Sequence, residues 1–126
     1  MIDSLIEAGK YLVTVFSEKQ KMKKARKQQL SSTLKTIGDL LQATANDLRN
    51  DIYPHGSCTA MENLADNLIQ ELDGFLNEEQ VKDLKFNLQL ASRLEQLYAD
   101  RKAPGFIDKI EQASGHFYAV SILTSF

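Results

Sequence analysis

Apolar side chains recur every three or four residues along most of the chain, and no segment shows the alternation typical of a β-strand. This spacing predicts α-helices that each bury one face. The segment from Asn77 to Asp100 stands out because its apolar residues form two neighbouring stripes. We expect it to pack against helices on two sides and to lie at the centre of the fold. The two stripes are Val81, Leu84, Leu88, Ala91 and Tyr98, and Phe86, Leu90, Leu94 and Leu97.

Four other helices are predicted from the same spacing. Helix one is predicted from about Asp3 into the low twenties, and helix two continues to about Asp51. Helix three follows a break at residues 53–58, and the last helix follows a break at residues 100–105. The positions at helical spacing are Ile2, Leu5, Ile6, Gly9, Leu12, Val13 and Phe16 in helix one; Leu30, Leu34, Ile37, Leu41, Ala45, Leu48 and Ile52 in helix two; Met61, Leu64, Leu68, Leu72 and Phe75 in helix three, with Ala65, Ile69 and Leu76 beside them; and Phe106, Ile110, Ala113, Phe117 and Val120 in the last helix.

Two helix starts are predicted from capping boxes, in which two side chains satisfy the first free N–H groups of a helix. The pairs are Thr59 with Glu62 and Asn77 with Gln80. In the last helix, Gly115 and Ala113 are expected to let a neighbouring helix approach closely.

The boundary between helices one and two carries no Gly or Pro. One continuous helix to Asp51 would be about 70 Å long at 1.5 Å per residue, which is too long for a compact domain of this size. We therefore expect a turn between Lys23 and Ser32, with a serine as the cap of helix two. The alternatives are a long protruding hairpin and helices exchanged in a dimer.

Length and composition fit one ordinary domain. The 126 residues are 43% hydrophobic and 25% charged, which is typical of a soluble globular protein. We expect residues 1–126 to form a single all-α domain, an antiparallel up-and-down bundle of four or five helices. A cytoplasmic location is predicted, since the single cysteine, Cys58, excludes an internal disulfide. The N-terminus also lacks the basic start of a signal peptide, and no apolar run is long enough to span a membrane.

Charge is distributed unevenly although the formal net charge is only −2. Residues 1–35 contain eight basic and three acidic residues, and the remainder contains seven basic and fourteen acidic residues. Six cations fall between residues 19 and 27, a density that could bind the phosphates of anionic lipid or nucleic acid. The segment has no aromatic residue to stack on bases, which disfavours nucleic acid. The simpler interpretation is a solvated end of helix one, where cations are favourable.

Candidate chemistry is sparse. His55 and Cys58 have a spacing that could hold a metal, but a structural zinc site needs four ligands and only His116 remains to join them. The same pair could be a nucleophile and its base, but no oxyanion motif accompanies it. Asn87 and Glu95 lie at the edge of the wide apolar arc and could form a buried hydrogen bond. Phosphate-binding glycine motifs are missing. We predict no catalytic residue, metal, cofactor or small-molecule substrate.

Residues 53–58, with the sequence YPHGSC, followed by Met61 and Glu62, resemble a pattern in small helical domains of cyanobacterial-type proteins without assigned function. This resemblance covers most of the chain and implies a helical bundle without an activity. The apolar first helix and nearby cations are also similar to HeLo-like four-helix modules, which act on membranes in cell death and defence. No motif of that family is present, so no functional residue is carried over.

We therefore expect a non-enzymatic helical bundle that acts as a protein-interaction or regulatory module, through a protein partner or self-association. The alternative is a peripheral membrane-binding bundle of the HeLo-like type, which would use helix one and residues 19–27 on anionic lipid. The candidate interaction surface joins the second side of helix one to the basic segment: Tyr11, Val15, Lys19, Lys21, Lys23, Lys24, Arg26 and Lys27.

Overall fold

The structure, a computed structural model, describes residues 2–17, 23–72, 77–91, 93 and 98–125. These residues form helices joined by turns, and no strand occurs among them. The helices are α1 (Ile2–Ser17), α2 (Lys24–Arg49), α3 (His55–Glu71), α4 (Glu78–Ala91) and α5 (Phe106–Thr124). The prediction of an all-α bundle is confirmed.

The main contacts link the helices into a closed ring in the order α1, α5, α2, α3, α4 and back to α1. The α2–α5 contact is the most extensive, and α1–α5 is next. The last of these helices therefore lies between the first two, so chain order and spatial order differ.

Hydrogen bonds show that α2 and α5 are antiparallel. Ser31, near the start of α2, donates to the carbonyl of Ser121 at 2.7 Å, and Ser121 donates back to the carbonyl of Ser31 at 3.0 Å. Two turns further along α2, the next hydrogen bond reaches an earlier residue of α5. Ser114 donates to the carbonyl of Gly38 at 2.7 Å. Serine and glycine are small, so the two helices approach closely along this line.

By contrast, α1 and α5 run parallel. Asp3 and Lys109 form an ion pair at 3.2 Å near the starts of the two helices. Further along both helices, Gly9 faces His116, and a Cβ added at Gly9 would lie 2.7 Å from the Cβ of His116. The first and fifth helices of an up-and-down bundle point the same way, as predicted, but such a bundle also places α1 beside α2, whereas here α5 lies between them.

The buried stripes are largely those predicted. Leu30, Leu34, Ile37, Leu41, Ala45 and Leu48 of α2 are buried, as are Met61, Leu68 and Leu72 of the third-helix region and all five predicted residues of α5. Ile52 is an exception, because α2 ends at Arg49 and Ile52 is 53% exposed. Phe75 lies outside the described residues.

The end of α2 explains the error at Ile52. The N–H groups of Asp51 and Ile52 donate to the carbonyls of Leu48 and Asp47, at 3.2 and 2.8 Å. With Asp51 at φ 58°, this is a Schellman motif, which turns the chain out of the helix. The motif carries Ile52 away from the buried stripe.

The central position predicted for the helix after Asn77 is wrong. Its capping box is confirmed, since the N–H of Asn77 donates to the Gln80 side chain and the N–H of Gln80 to the Asn77 side chain, both at 2.8 Å. Leu84 and Leu88 of one stripe are buried, but Phe86 of the other is 62% exposed. The α4 helix packs mainly on α1 and α3, whereas α5 lies between α1 and α2. The side chains of Leu90, Leu94 and Leu97 lie outside the described residues.

Two helix starts differ from prediction. The turn predicted between Lys23 and Ser32 is absent there, because α2 already begins at Lys24, with the extended Lys23 as its N-cap and no serine cap. The Thr59 capping box is also wrong, because α3 begins at His55. There the N–H of His55 donates to the carbonyl of Tyr53 at 2.9 Å across Pro54, whose φ of −81° and ψ of 51° define an inverse γ-turn. This proline turn starts the helix one turn early.

Glycines flank α5 on both sides, but not the predicted one. A Cβ added at Gly38 of α2 would lie 2.8 Å from the ring of Tyr118, and Gly9 of α1 faces His116. Gly115 has no atom within 4 Å of such a Cβ, so its predicted role in close approach is wrong.

Candidate functional site

The described residues of the predicted interaction surface lie on α1 and at the start of α2. Tyr11 and Val15 are half-buried on α1, and Val15 packs against the core. Lys23 and Lys24 are exposed at the start of α2. Lys19 and Lys21 lie outside the described residues. The interpretation of the basic residues as the end of helix one is wrong for Lys24, Arg26 and Lys27, which belong to the first turns of α2.

Arg26 connects α2 to the end of α3. Its Nη2 and Nε donate to the backbone carbonyl of Glu71, at 2.9 and 3.3 Å. The last turn of α3 has no basic residue of its own. Arg26 therefore supplies the cation that a helix C-terminus favours. Thr33 also donates to Oε1 of Glu71 at 2.9 Å, so the end of α3 is held by two side chains of α2.

Lys23 and Lys24 are exposed at the N-terminus of α2, the helix end that is unfavourable for cations. The first turn of α2 contains no acidic residue, and Lys23 caps it without a side-chain hydrogen bond. Partial positive charge at a helix N-terminus adds to that of Lys23 and Lys24, which makes this end of the molecule electropositive.

Tyr11 lies in a cleft of about 240 Å³ between α1 and α4. From α1 the cleft is lined by Glu7, Ala8 and Tyr11, and from α4 by Gln80, Asp83 and Leu84. It exists because α4 packs beside α1, which places the second side of α1 against another helix of the same chain. We call these six residues the α1–α4 cleft.

The hydroxyl of Tyr11 is buried and has no hydrogen-bond partner among the described residues. Burial, and then the negative charge of Asp83, raise the pKa of Tyr11 above its usual value. At neutral pH the cleft therefore carries a neutral phenol beside the carboxylates of Glu7 and Asp83. Glu7 also pairs with Lys10, at 3.8 Å, on the exposed face of α1.

Phe86 is the most exposed of the large hydrophobic residues in the described part of the chain. It lies three residues after Asp83, so the two side chains leave α4 about 60° apart. Leu84, which lines the cleft, leaves α4 about 160° away from Phe86, so the exposed ring lies on the outer side of the helix and not in the α1–α4 cleft. Sequence periodicity assigned Phe86 to a buried stripe, and nothing in the local pattern distinguishes it from a core residue.

The other candidate residues do not converge. His55 is exposed at the start of α3, and His116 lies in the α1–α5 contact. The side chains of Cys58 and Asn87, together with Glu95, lie outside the described residues. Within the described part of the chain, no group of three or more acidic, histidine or cysteine side chains is placed to hold a metal ion.

No family model, curated protein or solved structure matches the chain. The resemblances to cyanobacterial-type domains and to HeLo-like modules therefore stay predictions. Among the described helices, none combines the length and apolar character needed to cross a membrane.

Proposed function

We propose that this chain is a non-enzymatic helical bundle that acts by binding a protein, either another polypeptide or a second copy of itself. The observation that carries the proposal is the exposure of Phe86, whose side chain is 62% accessible in the middle of α4. Aromatic side chains supply large contact areas and are enriched in the buried centres of protein interfaces.

A second feature of α4 supports the same proposal. Another side of this helix lines the α1–α4 cleft, a concave surface with polar groups. Interfaces commonly combine an aromatic anchor with a polar rim. Tyr11, from the predicted interaction surface, lines this cleft, whereas Val15 packs against the core.

Site-specific photocrosslinking in the native cells tests the proposal. A benzoylphenylalanine is placed at position 86 and, as a control, at position 66, which is also exposed but lies on α3. We expect a discrete crosslinked species from position 86 only, whose mass shows whether the partner is a second copy. Excess unlabelled wild-type chain should suppress it, and excess Phe86→Ser chain should not. Equal crosslinking at both positions, or equal competition by both chains, would contradict the proposal.

A second candidate is binding to an anionic membrane surface. It is favoured by Lys23 and Lys24, which are both exposed at the electropositive start of α2. Insertion of helix one receives less support, since Ile6, Leu12 and Phe16 are buried in the bundle. This candidate is therefore an electrostatic contact of the α2 end rather than an inserted helix.

Vesicle sedimentation tests this second candidate. The chain should sediment with anionic but not neutral vesicles at low salt, and added salt should release it. A Lys23→Glu, Lys24→Glu variant should lose sedimentation. A Lys82→Glu, Lys85→Glu variant, which changes two exposed lysines of α4, should retain it. Equal sedimentation of the two variants would rule out the α2 end as the contact.

A further inference from the structure

One half of the pair formed by α2 and α5 contains no acidic residue. The hydrogen bonds between Ser31 and Ser121 place the start of α2 beside the end of α5. Neither residues 23–38, which include the start of α2, nor residues 112–124 of α5 include an aspartate or glutamate. We call these two segments together the acid-free half of the α2–α5 pair.

Exposed cations lie on the α2 side of the acid-free half. Lys23, Lys24 and Lys35 are exposed there. Lys24 lies seven residues before Ser31 and Lys35 four residues after it, so both lysines leave α2 within about 40° of the serine that contacts α5. These cations therefore stand beside α5, and the acid-free half has no carboxylate to neutralise them.

The α5 side of the acid-free half exposes aliphatic side chains. Ile122 is 59% exposed and Leu123 is 37% exposed in the last turn of α5. They leave this helix about 100° and 160° away from Ser121, so they lie outside the contact with α2. Exposed cations and exposed aliphatic groups are thus neighbours at the same end of the α2–α5 pair.

This combination favours one kind of partner. An anionic lipid surface offers phosphates to lysines and an acyl boundary to aliphatic side chains, and both contacts strengthen peripheral binding. A nucleic acid offers phosphates but would leave Ile122 and Leu123 in water. The acidic first turn of α4, with Glu78 and Glu79, belongs to a helix that packs mainly on α1 and α3, so it lies away from the α2–α5 pair.

We propose that the acid-free half docks on an anionic lipid bilayer. Ile122 and Leu123 enter the boundary between headgroups and acyl chains, and Lys23, Lys24 and Lys35 contact lipid phosphates. The proposal rests on the second candidate function, binding to an anionic membrane surface. It adds an apolar contact from α5 to that electrostatic contact and fixes which side of the molecule faces the bilayer.

Tryptophan fluorescence tests the apolar contact, because the chain contains no tryptophan of its own. Ile122→Trp is compared with Ile52→Trp, which replaces a 53% exposed isoleucine beyond the far end of α2. Both variants should sediment at low salt with vesicles of phosphatidylglycerol and phosphatidylcholine. Bromine atoms on the acyl chains should quench the tryptophan at position 122 and not the one at position 52.

The two readouts separate failure of the proposal from failure of the candidate function. Sedimentation with no quenching at position 122, or with equal quenching at both positions, would overturn the apolar contact and leave the electrostatic contact standing. If neither variant sediments, the candidate function and the proposal are both wrong.

Serine substitutions measure how much the apolar contact contributes. The double variant Ile122→Ser, Leu123→Ser should bind anionic vesicles about tenfold more weakly, since the two exposed fractions together amount to about one aliphatic side chain. Ile52→Ser is the matched control and should bind like the wild type. Phe86→Ser should also bind like the wild type, so this proposal and the protein-binding proposal can fail separately. Wild-type binding by the double variant, at unchanged helical content, would refute the role of Ile122 and Leu123.

Discussion

Tyr11 and Tyr118 show how two tyrosines on one bundle differ in their hydrogen bonding. The hydroxyl of Tyr118 donates to Asp39, whereas that of Tyr11 is buried without a partner among the described residues. Sequence periodicity identified Tyr11 as a residue on the second side of helix one. It could not identify Gln80 and Asp83 as its neighbours, because both look like ordinary solvent-facing positions of α4 until α4 is placed beside α1.

Replacing each tyrosine by phenylalanine should therefore have opposite effects on stability. Tyr11→Phe removes a buried hydroxyl that lacks a hydrogen bond and should raise the free energy of unfolding by up to about 1 kcal/mol. Tyr118→Phe removes a hydrogen bond to a carboxylate and should lower it by about 1 kcal/mol. Urea unfolding followed by circular dichroism measures both. Loss of stability in Tyr11→Phe would mean that its hydroxyl has a partner in solution.

Arg26 stabilises the end of α3, and its position in the sequence does not predict this contact. Within a cluster of cations it looks like one of several surface charges, and the sequence grouped it with them. In the structure it donates to the carbonyl of Glu71 at the end of α3. The signal that could have separated it is the lack of any basic residue in the last turn of α3.

Arg26→Met should lower the free energy of unfolding by about 1 kcal/mol. Loss of a charged hydrogen bond lowers the free energy of unfolding by roughly 1.5–3 kcal/mol, and removal of a cation from the start of α2 raises it by roughly 0.3–1 kcal/mol. The matched control is Lys24→Met at the same helix end. Loss of this exposed cation should raise the free energy of unfolding by a few tenths of a kcal/mol. Equal effects of the two substitutions in thermal or urea unfolding would show that Arg26 does not stabilise the end of α3.

At the scale of elements, periodicity located all five described helices and most of their buried faces, because burial of one stripe imposes the 3.6-residue spacing directly. It could not establish which helices are neighbours. Which helices are neighbours depends on which pairs of backbones can approach closely. In α2 and α5, small residues spaced seven apart allow this approach: Ser31 and Gly38 on α2, and Ser114 and Ser121 on α5. These small residues are visible in the sequence, but the two apolar stripes after Asn77 led to the prediction that α4 is the central helix.

Two glycine-to-alanine substitutions, one on α1 and one on α5, should distinguish the effect of a steric clash on stability from the effect of helix propensity. Gly9→Ala brings a Cβ to 2.7 Å from the Cβ of His116, which cannot move without its backbone. We expect a loss of about 1–3 kcal/mol in the free energy of unfolding. In Gly115→Ala the new Cβ has no neighbouring atom within 4 Å. This substitution should raise the free energy of unfolding by about 0.5–1 kcal/mol, because alanine favours the helix. A gain in both variants would contradict the close contact of α1 and α5.

Across the whole molecule, the α2–α5 contact carries an acid-sensitive ion pair. Hydrogen bonds from Arg49, and then from Gln42, lower the pKa of Glu111 below its usual 4.5. A carboxyl group with a lowered pKa in the folded state stabilises the fold above pH 4.5, and the stabilisation is lost as the pH falls through the folded value.

Stability should therefore fall below pH 4.5 less steeply in Glu111→Gln than in the wild-type chain. Urea midpoints measured from neutral pH to below that value test this. Arg49→Met should remove the same part of the pH dependence, because it removes the main cause of the shift, and the double variant should show no further change. If Glu111→Gln leaves the slope unaltered, this pair does not contribute to acid unfolding.

The position of α5 has a consequence for biosynthesis. A ribosome releases α1 and α2 well before the helix that fills the space between them. At roughly 5–20 residues per second, about 4–15 s separate the emergence of Arg49 from that of Thr124. During that interval the nascent polypeptide exposes leucine-rich surfaces of α1 and α2 to solvent or to a chaperone. Such contacts between distant parts of a sequence also slow spontaneous folding.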